Sequence, residues 1–255
     1  MEASGNTVTF IAYLGDNTVP IARDLAARLG LLTGLDLAYD PDLPWPQRLA
    51  AIQTGGADLL WMCSLPMLNA LDAGRLDAEI VAAPVFPGHD GPTYRSVIIA
   101  RRQSGFATLA HLRGRRLAIN ERMSWSGHHA LRVHLASAGE RQAFFGEIVK
   151  TGSHAASIDA VLAGAAEVAA IDDTIWEHRL LVDDRLRDLV VVDRTRAWPA
   201  PPFALSRALG SSVRDVLSQA LVGTTPSGLD AIVPATTADY DPIRRGMAIS
   251  RGVRW

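Results

Sequence analysis

Short apolar runs of strand length alternate with helical segments along most of this chain. Strand-forming residues cluster at positions 8–13, 35–39, 57–62 and 80–85, and apolar residues at helical spacing lie between them, at positions 20–29, 47–53 and 66–73. Strands that alternate with helices at this spacing favour a parallel α/β sheet covered by helices. The sequence therefore predicts an α/β fold.

A second series of the same kind follows a pronounced turn at residues 87–92. Strands are expected at 94–101, around Leu117, and at 148–149, 168–171 and 189–192; helices are expected at 108–112, from about 127, and at 154–162, 174–181, 211–222 and 240–247. Two crossings, near 86–94 and at the proline-rich stretch 193–203, would separate two lobes.

The predicted architecture is a two-lobed clamshell in which each lobe is a mainly parallel sheet flanked by helices. Residues 1–90 and 200–255 would form the first lobe, and residues 91–199 the second. In such folds a ligand lies between the lobes, at the carboxyl ends of strands and the N-termini of helices.

Composition excludes several classes of protein. No run of about 18 uncharged apolar residues could cross a membrane. The net charge is −2 and the basic residues are scattered, so we expect no nucleic-acid partner. Cys63 is the only cysteine, which excludes an internal disulfide and a cysteine-based zinc cluster. No histidine pair has metal-ligand spacing with a third ligand nearby, so neither a metal nor a cofactor is expected.

The first residues lead directly into a strand and lack a basic segment followed by an apolar one. We therefore expect either a cytoplasmic protein or a periplasmic one whose signal peptide is not part of this sequence.

The residues Ser124, Trp125, Ser126 and Gly127, here called the serine turn, lie between a predicted strand and a predicted helix. Such a turn offers backbone N–H groups, hydroxyls and the positive end of a helix dipole to an anion. The alternative is an ordinary helix N-cap in which glycine eases a tight turn.

Several segments occur together in an order and spacing typical of one family. They are the Tyr94–Arg101 stretch, residues 109–114 and 116–119, the serine turn, Thr151-Gly152-Ser153-His154 and Ile171-Asp172. The chain resembles the phosphonate/phosphate-binding family of periplasmic binding proteins, the extracytoplasmic components of ATP-driven importers. The resemblance extends outward to residues 55–61, 201–203 and 238–243, and thus covers most of the chain.

This resemblance implies that the serine turn holds phosphonate oxygens. Ser124, Ser126 and Gly127 match three of the four places in the family's Ser-Thr-Ser-Gly turn, and Trp125 stands where the family has threonine. Two alternatives follow. Either the two serines and the backbone still hold a phosphoryl group, or the pocket is rebuilt around a flatter or more apolar ligand.

The resemblance implies further ligand contacts in the second lobe. Tyr94 matches a tyrosine that reaches the anion through its phenol, and Ser153 and His154 match a Ser-His pair. His128 could donate to an anion from the first helical turn, and Asp172 could recognise a cationic tail such as an amine. The alternatives are a packed aromatic residue for Tyr94, capping or solvated histidines, and a helix N-cap for Asp172.

In the first lobe, Trp45 lies where the family often has an aromatic ligand contact, although it could simply be held between its flanking prolines. Trp61 and Ser64 follow the third strand, in the family's cleft-facing segment, and Tyr13 ends the first strand.

The resemblance implies a substrate-binding component that closes on a small anionic or zwitterionic ligand and is recognised by a membrane permease, with a monomer as the usual arrangement. Two alternatives remain: a cytoplasmic enzyme on the same fold, similar to the chorismate-dehydrating enzymes, and a ligand sensor without a transporter. Against an enzyme, the sequence has no Gly-x-Ser-x-Gly elbow and no P-loop, and Cys63 has no histidine near it in sequence.

Overall fold

The computed structural model describes residues 7–140 and 142–254. These residues form two compact units: the first contains the chain up to Thr93 together with Pro199–Asp241, and the second contains Tyr94–Trp198 together with the chain from Pro242 onward. The chain therefore passes from one unit to the other after Thr93, Trp198 and Asp241.

The secondary structure follows the predicted alternation closely. The strands are β1 (Thr7–Tyr13), β2 (Asp36–Tyr39), β3 (Leu59–Met62), β4 (Ala78–Val85), β5 (Thr93–Tyr94), β6 (Ser96–Arg101), β7 (Arg116–Ile119), β8 (Glu147–Lys150), β9 (Val168–Asp172), β10 (Leu189–Arg194), β11 (Trp198–Pro199), β12 (Phe203–Ser206) and β13 (Ala231–Pro234). The α-helices are α1 (Val19–Thr33), α2 (Trp45–Gln53), α3 (Ser64–Asp72), α4 (Ala130–Ser137), α5 (His154–Ala163), α6 (Asp173–Val182), α7 (Ser211–Val222) and α8 (Asp241–Arg251).

Each unit is built on a mixed sheet, which corrects the expectation of mainly parallel sheets. In the first unit the order is β13-β4-β12-β3-β1-β2, where β1 runs parallel to β2 and β3 while β12 and β13 run antiparallel to their neighbours. In the second unit the order is β10-β6-β9-β7-β8, parallel only around β7. The short strands β5 and β11 form a separate two-stranded sheet.

Two antiparallel strands of the first unit were not predicted from the sequence. Strands β12 and β13 have four residues each, β12 directly follows the proline-rich stretch, and no strand was expected at either position. The long strand expected at 94–101 is divided at Arg95 into β5 and β6. The helix expected at 108–112 is a single 3₁₀ turn, Leu109–Leu112.

The C-terminal segment belongs to the second unit, whereas the sequence analysis placed it with the first lobe. Helix α8 is longer than expected, and beyond it Val253 is fully buried in a cluster with Leu117, Leu131 and Phe144. Burial of an apolar side chain such as Val253 in this core is favourable. The helical pattern of the segment alone does not indicate in which of the two units its apolar residues are buried.

The sheet of the second unit is buried on both faces. Ile98 and Leu117 point into one apolar cluster, while Val97, Ile99 and Ala118 point into a second one. Successive residues of a strand face opposite sides, so the continuously apolar strands seen in the sequence are those covered by helices on both sides. Among the helices of the described residues, none has the length and apolar character needed to cross a membrane.

Candidate functional site

The serine turn forms a wide, π-helical start to helix α4. Ser124 has extended backbone angles and caps the turn: its Oγ accepts a hydrogen bond from the Gly127 N–H at 3.0 Å. The Ala130 N–H then donates to the Trp125 carbonyl, five residues back, which closes one π turn over Trp125–His129. An ordinary helix N-cap was one of the two alternatives that the sequence left open here; the extra width of the turn was not expected.

Gly127 is required by close packing and not by its backbone angles. A Cβ atom at this position would lie 1.8 Å from the Asn120 Oδ1 and 3.0 Å from the His154 Cε1. Ser124 and Ser126 are also buried, at 8% and 3% exposure. The turn is therefore set into the second unit, against the end of β7 and the start of α5.

Ser126 lies at the centre of a small polar cluster, here called the Ser126 cluster, which comprises Ser126, His154 and Asp172. The Ser126 Oγ is 3.3 Å from the His154 Nε2 and 3.4 Å from the Asp172 Oδ2. Ser96, which pairs with Asp172 across β6 and β9, fixes the backbone by donating from its Oγ to the Ser126 carbonyl at 2.8 Å. Three residues far apart in sequence, all predicted as site residues, thus lie together.

Asp172 has the N-cap role that the sequence analysis left open. Its Oδ1 accepts from the Thr174 N–H at 3.0 Å and from the Thr174 Oγ1 at 2.7 Å, at the start of α6. Burial, reinforced by the neighbouring Asp173 carboxylate, raises the pKa of Asp172 to about 7. Near neutral pH this carboxyl group is therefore protonated in a substantial fraction of molecules.

His154 is neutral under the same conditions, because burial lowers its pKa to about 4. The Asp172 N–H approaches its Nδ1 at 3.5 Å, while the Asp172 carboxylate contacts Ser126 and Thr174. A serine beside a histidine can act as a nucleophile when a carboxylate orients and stabilises the imidazolium. Here the carboxylate has other partners, so the arrangement suits hydrogen bonding to a ligand better than nucleophilic catalysis.

The paired histidines that follow the turn are tied to the backbone. The His128 Nδ1 and the His129 Nε2 lie 2.8 Å and 2.9 Å from the Arg122 carbonyl oxygen. A carbonyl only accepts, so each of these nitrogens carries the proton. Burial lowers the pKa of both rings, that of His129 to about 3. A neutral imidazole has a single N–H group. In His128 this group donates to the Arg122 carbonyl, so it does not donate to an anion.

Trp125 points into the interior of the second unit. Its indole is fully buried and packs edge-to-face on Trp198, with ring centroids 4.7 Å apart. The outer indole atoms lie over Gly246 of α8. The side chain thus has no exposed surface for a ligand, which leaves the serines and the backbone as the polar groups of the turn.

The remaining predicted residues of the second unit have local roles. Ser153 is exposed and caps α5, because its Oγ accepts from the Ala156 N–H at 3.0 Å. Tyr94 is 1% exposed and lies in the short strand β5.

In the first unit, Tyr13 and Trp45 form an aromatic pair at the end of β1. Their rings meet edge-to-face at 4.3 Å, and Trp45 is 44% exposed. Arg48 lies beside the pair, with its Cζ 5.7 Å from the centroid of the Trp45 ring; it is buried and donates to the carbonyls of Ala12, Pro41 and Leu43 at 2.9, 2.6 and 2.7 Å.

Trp61 and Ser64 are both buried and use their polar groups inside the first unit. The Trp61 Nε1 donates to the Pro201 carbonyl at 3.1 Å and its ring stacks on Phe203, while the Ser64 Oγ donates to the Pro199 carbonyl at 3.4 Å. Their contacts hold the chain segment at residues 199–203 against β3 and the start of α3.

Sequence reasoning missed three residues that shape this site: Ser96, Asn120 and Thr174. Asn120 directly follows β7, and a polar residue at the carboxyl end of a parallel strand was a usable signal. Ser96 is a polar residue at the start of an otherwise apolar strand, which was a weaker signal. Within the described ranges no group of three His, Cys, Asp or Glu side chains could hold a metal ion.

The fold is that of the type II periplasmic binding proteins. The structure resembles the binding-protein component of an ABC phosphonate transporter from Pseudomonas aeruginosa with a TM-score of 0.81, at 15% identity, covering 97% of this chain and 87% of that one. It resembles the PhnD1 protein from Prochlorococcus marinus, solved in complex with methylphosphonate, with a TM-score of 0.82, at 17% identity, covering 97% and 99%. A Xanthomonas citri protein solved with bound ATP is less similar, with a TM-score of 0.67 at 16% identity over 97% and 96% of the two chains.

The sequence profile of one family, described as "ABC transporter, phosphonate, periplasmic substrate-binding protein", matches residues 12–245. The chain belongs to this family. The resemblance, the two-lobed α/β fold class and the function as a transporter's substrate-binding protein, not an enzyme, are thereby confirmed. Its partners are a small-molecule ligand and a membrane permease, and the family is periplasmic.

Proposed function

We propose that this chain binds a phosphonate or phosphate oxyanion at the serine turn of its second unit and acts as a periplasmic monomer with no nucleic-acid partner. The observation that carries the proposal is the buried Ser126 hydroxyl at a helix start, 3.3 Å from the His154 Nε2. Hydroxyl, imidazole and the first amides of a helix are all suited to phosphoryl oxygens, and the helix dipole adds positive potential.

The charge state of the Ser126 cluster supports an anionic ligand. An ionised Asp172 beside Ser126 would repel an oxyanion, whereas a protonated one could donate to it. With its pKa raised to about 7, Asp172 is protonated at modest cost when an anion arrives. We therefore propose that binding of the anion is accompanied by proton uptake at Asp172.

The proposed contacts are narrower than the set predicted from sequence. Ser124 and Gly127 shape the turn, and Ser126, His154 and Asp172 provide polar groups. The buried indoles of Trp125 and Trp61, Ser64, and His128 with its proton on Arg122 are better explained by packing and by fixing the backbone. Ligand contacts by Tyr13, Trp45, Tyr94 and Ser153 stay predictions.

Isothermal titration with methylphosphonate, phosphate and sulfate tests the proposal, using Ser126→Ala and, as a matched control, Ser212→Ala on the exposed side of α7. A hydrogen bond to a charged group is worth about 1.5–3 kcal/mol, so Ser126→Ala should weaken binding about 10- to 100-fold. The control should bind like the wild type. Absence of binding to all three anions, or unchanged affinity in Ser126→Ala, would contradict the proposal.

A further inference from the structure

The C-terminal helix α8 contacts two residues of the π turn that begins in the serine turn. Trp125 and His129 are four residues apart on the π turn, and they meet Gly246 and Ser250, four residues apart on α8. Residues four apart lie on one face of a helix, so the two faces match in register. Gly246 and Ser250 of the C-terminal helix are thereby placed in direct contact with residues of this turn.

The contact between Gly246 and Trp125 is steric. A Cβ atom at Gly246 would lie 2.5 Å from the Trp125 Cη2, 3.0 Å from its Cζ2 and 3.2 Å from the Trp198 Cη2. Glycine inside a helix is less favourable than alanine, so its presence in α8 needs a packing reason, and the indole supplies one. Among the described residues, no acceptor lies within hydrogen-bonding distance of the Trp125 Nε1, so shape and not hydrogen bonding holds the indole here.

The contact between Ser250 and His129 is a hydrogen bond. The His129 Nδ1 lies 2.8 Å from the Ser250 Oγ, and Ser250 is fully buried. Since the His129 Nε2 carries the proton toward Arg122, the Nδ1 accepts from the Ser250 hydroxyl. A guanidinium of the following helix, Arg132, also donates to the Val253 carbonyl, which adds a third tie to the C-terminal segment.

A π turn is an uncommon, widened conformation that depends on its surroundings. Here the residues on its inner side are held by α8, while Ser126 of the same turn contacts His154 and Asp172. We propose that Gly246 and Ser250 are positioning residues of the anion site: through Trp125 and His129 they set the width of the serine turn and thus the place of the Ser126 hydroxyl and amide. The inference rests on the proposed function for its link to the anion, but its geometric part does not.

The test uses the full chain with four variants: Gly246→Ala, Trp125→Phe, the double variant of the two, and Ser250→Ala. Phenylalanine lacks the outer indole atoms that a Cβ at position 246 would strike. Arg245→Ala, one residue earlier and exposed, is the control within α8. Two readouts are taken: the amide chemical shifts of Ser126 and Gly127 without ligand, and the Kd for methylphosphonate.

We expect Gly246→Ala to move both amide shifts and to weaken methylphosphonate binding tenfold or more. The double variant should return to the shifts of Trp125→Phe and to within about threefold of its Kd, because the clash is removed. Ser250→Ala should give a smaller change in the same amides, and the control none.

Rescue by the double variant is the result that a general loss of stability would not give. Unmoved amides in Gly246→Ala, or a double variant that is no better than Gly246→Ala, would overturn the proposal. If Gly246→Ala fails to fold, a folded double variant supports the proposed contact between Gly246 and the Trp125 indole, and an unfolded one contradicts it. Because the amide shifts need no ligand, they decide the positioning role even if methylphosphonate does not bind, in which case the proposed function alone fails.

Discussion

Replacing Asp172 by asparagine should remove a pH-dependent penalty on folding. Asparagine keeps an Oδ1 to accept from the Thr174 N–H and Oγ1, so the cap of α6 is retained. What is lost is the ionisable carboxyl group, buried beside Asp173 and Ser126. The substitution therefore separates the charge of this residue from its hydrogen bonds.

The direction follows from the two pKa values. Burial raises the pKa of Asp172 from 3.8 to about 7, so between these values the folded protein holds a proton that the unfolded chain has lost. The free energy of unfolding then falls as pH rises from about 4 to about 7, and the whole penalty is present above that. At about 1.4 kcal/mol per pH unit the penalty is on the order of 4 kcal/mol.

Thermal unfolding from pH 4.5 to pH 8.5 measures the effect. His154 and His129 act in the opposite direction: their pKa values are lowered to about 4 and about 3 from 6.5, so stability is lost as pH falls below about 6.5. Both histidines are present in either protein, so the greater part of their contribution cancels in the difference between wild type and variant. The exposed Asp188→Asn serves as the control.

We expect Asp172→Asn to exceed the melting temperature of the wild type by only about 2–4 °C near pH 4.5 and by about 10 °C at pH 8.5, since each kcal/mol shifts a domain of this size by about 2–4 °C. Asp188→Asn should follow the wild type throughout. A constant difference between Asp172→Asn and wild type across the whole pH range would refute the reasoning, because it would mean that Asp172 is ionised at every pH tested.

Three further substitutions test separate contacts of the described structure. Gly127→Ala would place a Cβ 1.8 Å from the Asn120 Oδ1, and it should cost about 3 kcal/mol of stability and abolish measurable anion binding by titration. Ser124→Ala removes the cap on the Gly127 N–H and should cost about 1 kcal/mol in chemical denaturation, whereas Ser124→Asn should keep most of it. Arg48→Met leaves three carbonyls without their donor and should destabilise the protein by about 3 kcal/mol, with Arg48→Lys intermediate. A change below about 0.5 kcal/mol in any of the three would show that the contact concerned does not stabilise the fold.

The sequence predicted those parts of the fold that depend on local pattern. The apolar strands and amphipathic helices were located within a few residues, and helix α7 to the residue, because periodicity and glycine stops are local signals. The serine turn was placed at a strand-to-helix junction, and Asp172 at a strand end where it caps a helix, because capping chemistry is local as well.

The parts that sequence did not predict depend on tertiary contacts. The strands Phe203–Ser206 and Ala231–Pro234 have prolines directly before them or within them, which weakens the local strand signal, and their pairing with β3 and β4 decides their conformation. The orientation of Trp125 could not be read either, since it depends on the space above Gly246, more than a hundred residues later. For the same reason the assignment of the C-terminal helix to the second unit was missed.

The most direct test of the account is the effect of methylphosphonate on the backbone amides of the serine turn, measured by ¹⁵N–¹H NMR on the wild-type chain. We expect large, saturable shifts of the Ser126 and Gly127 amides on titration, with the His154 ring responding in parallel and Ser126→Ala suppressing all of them. Saturable binding that leaves these amides unmoved and shifts other residues instead would contradict it.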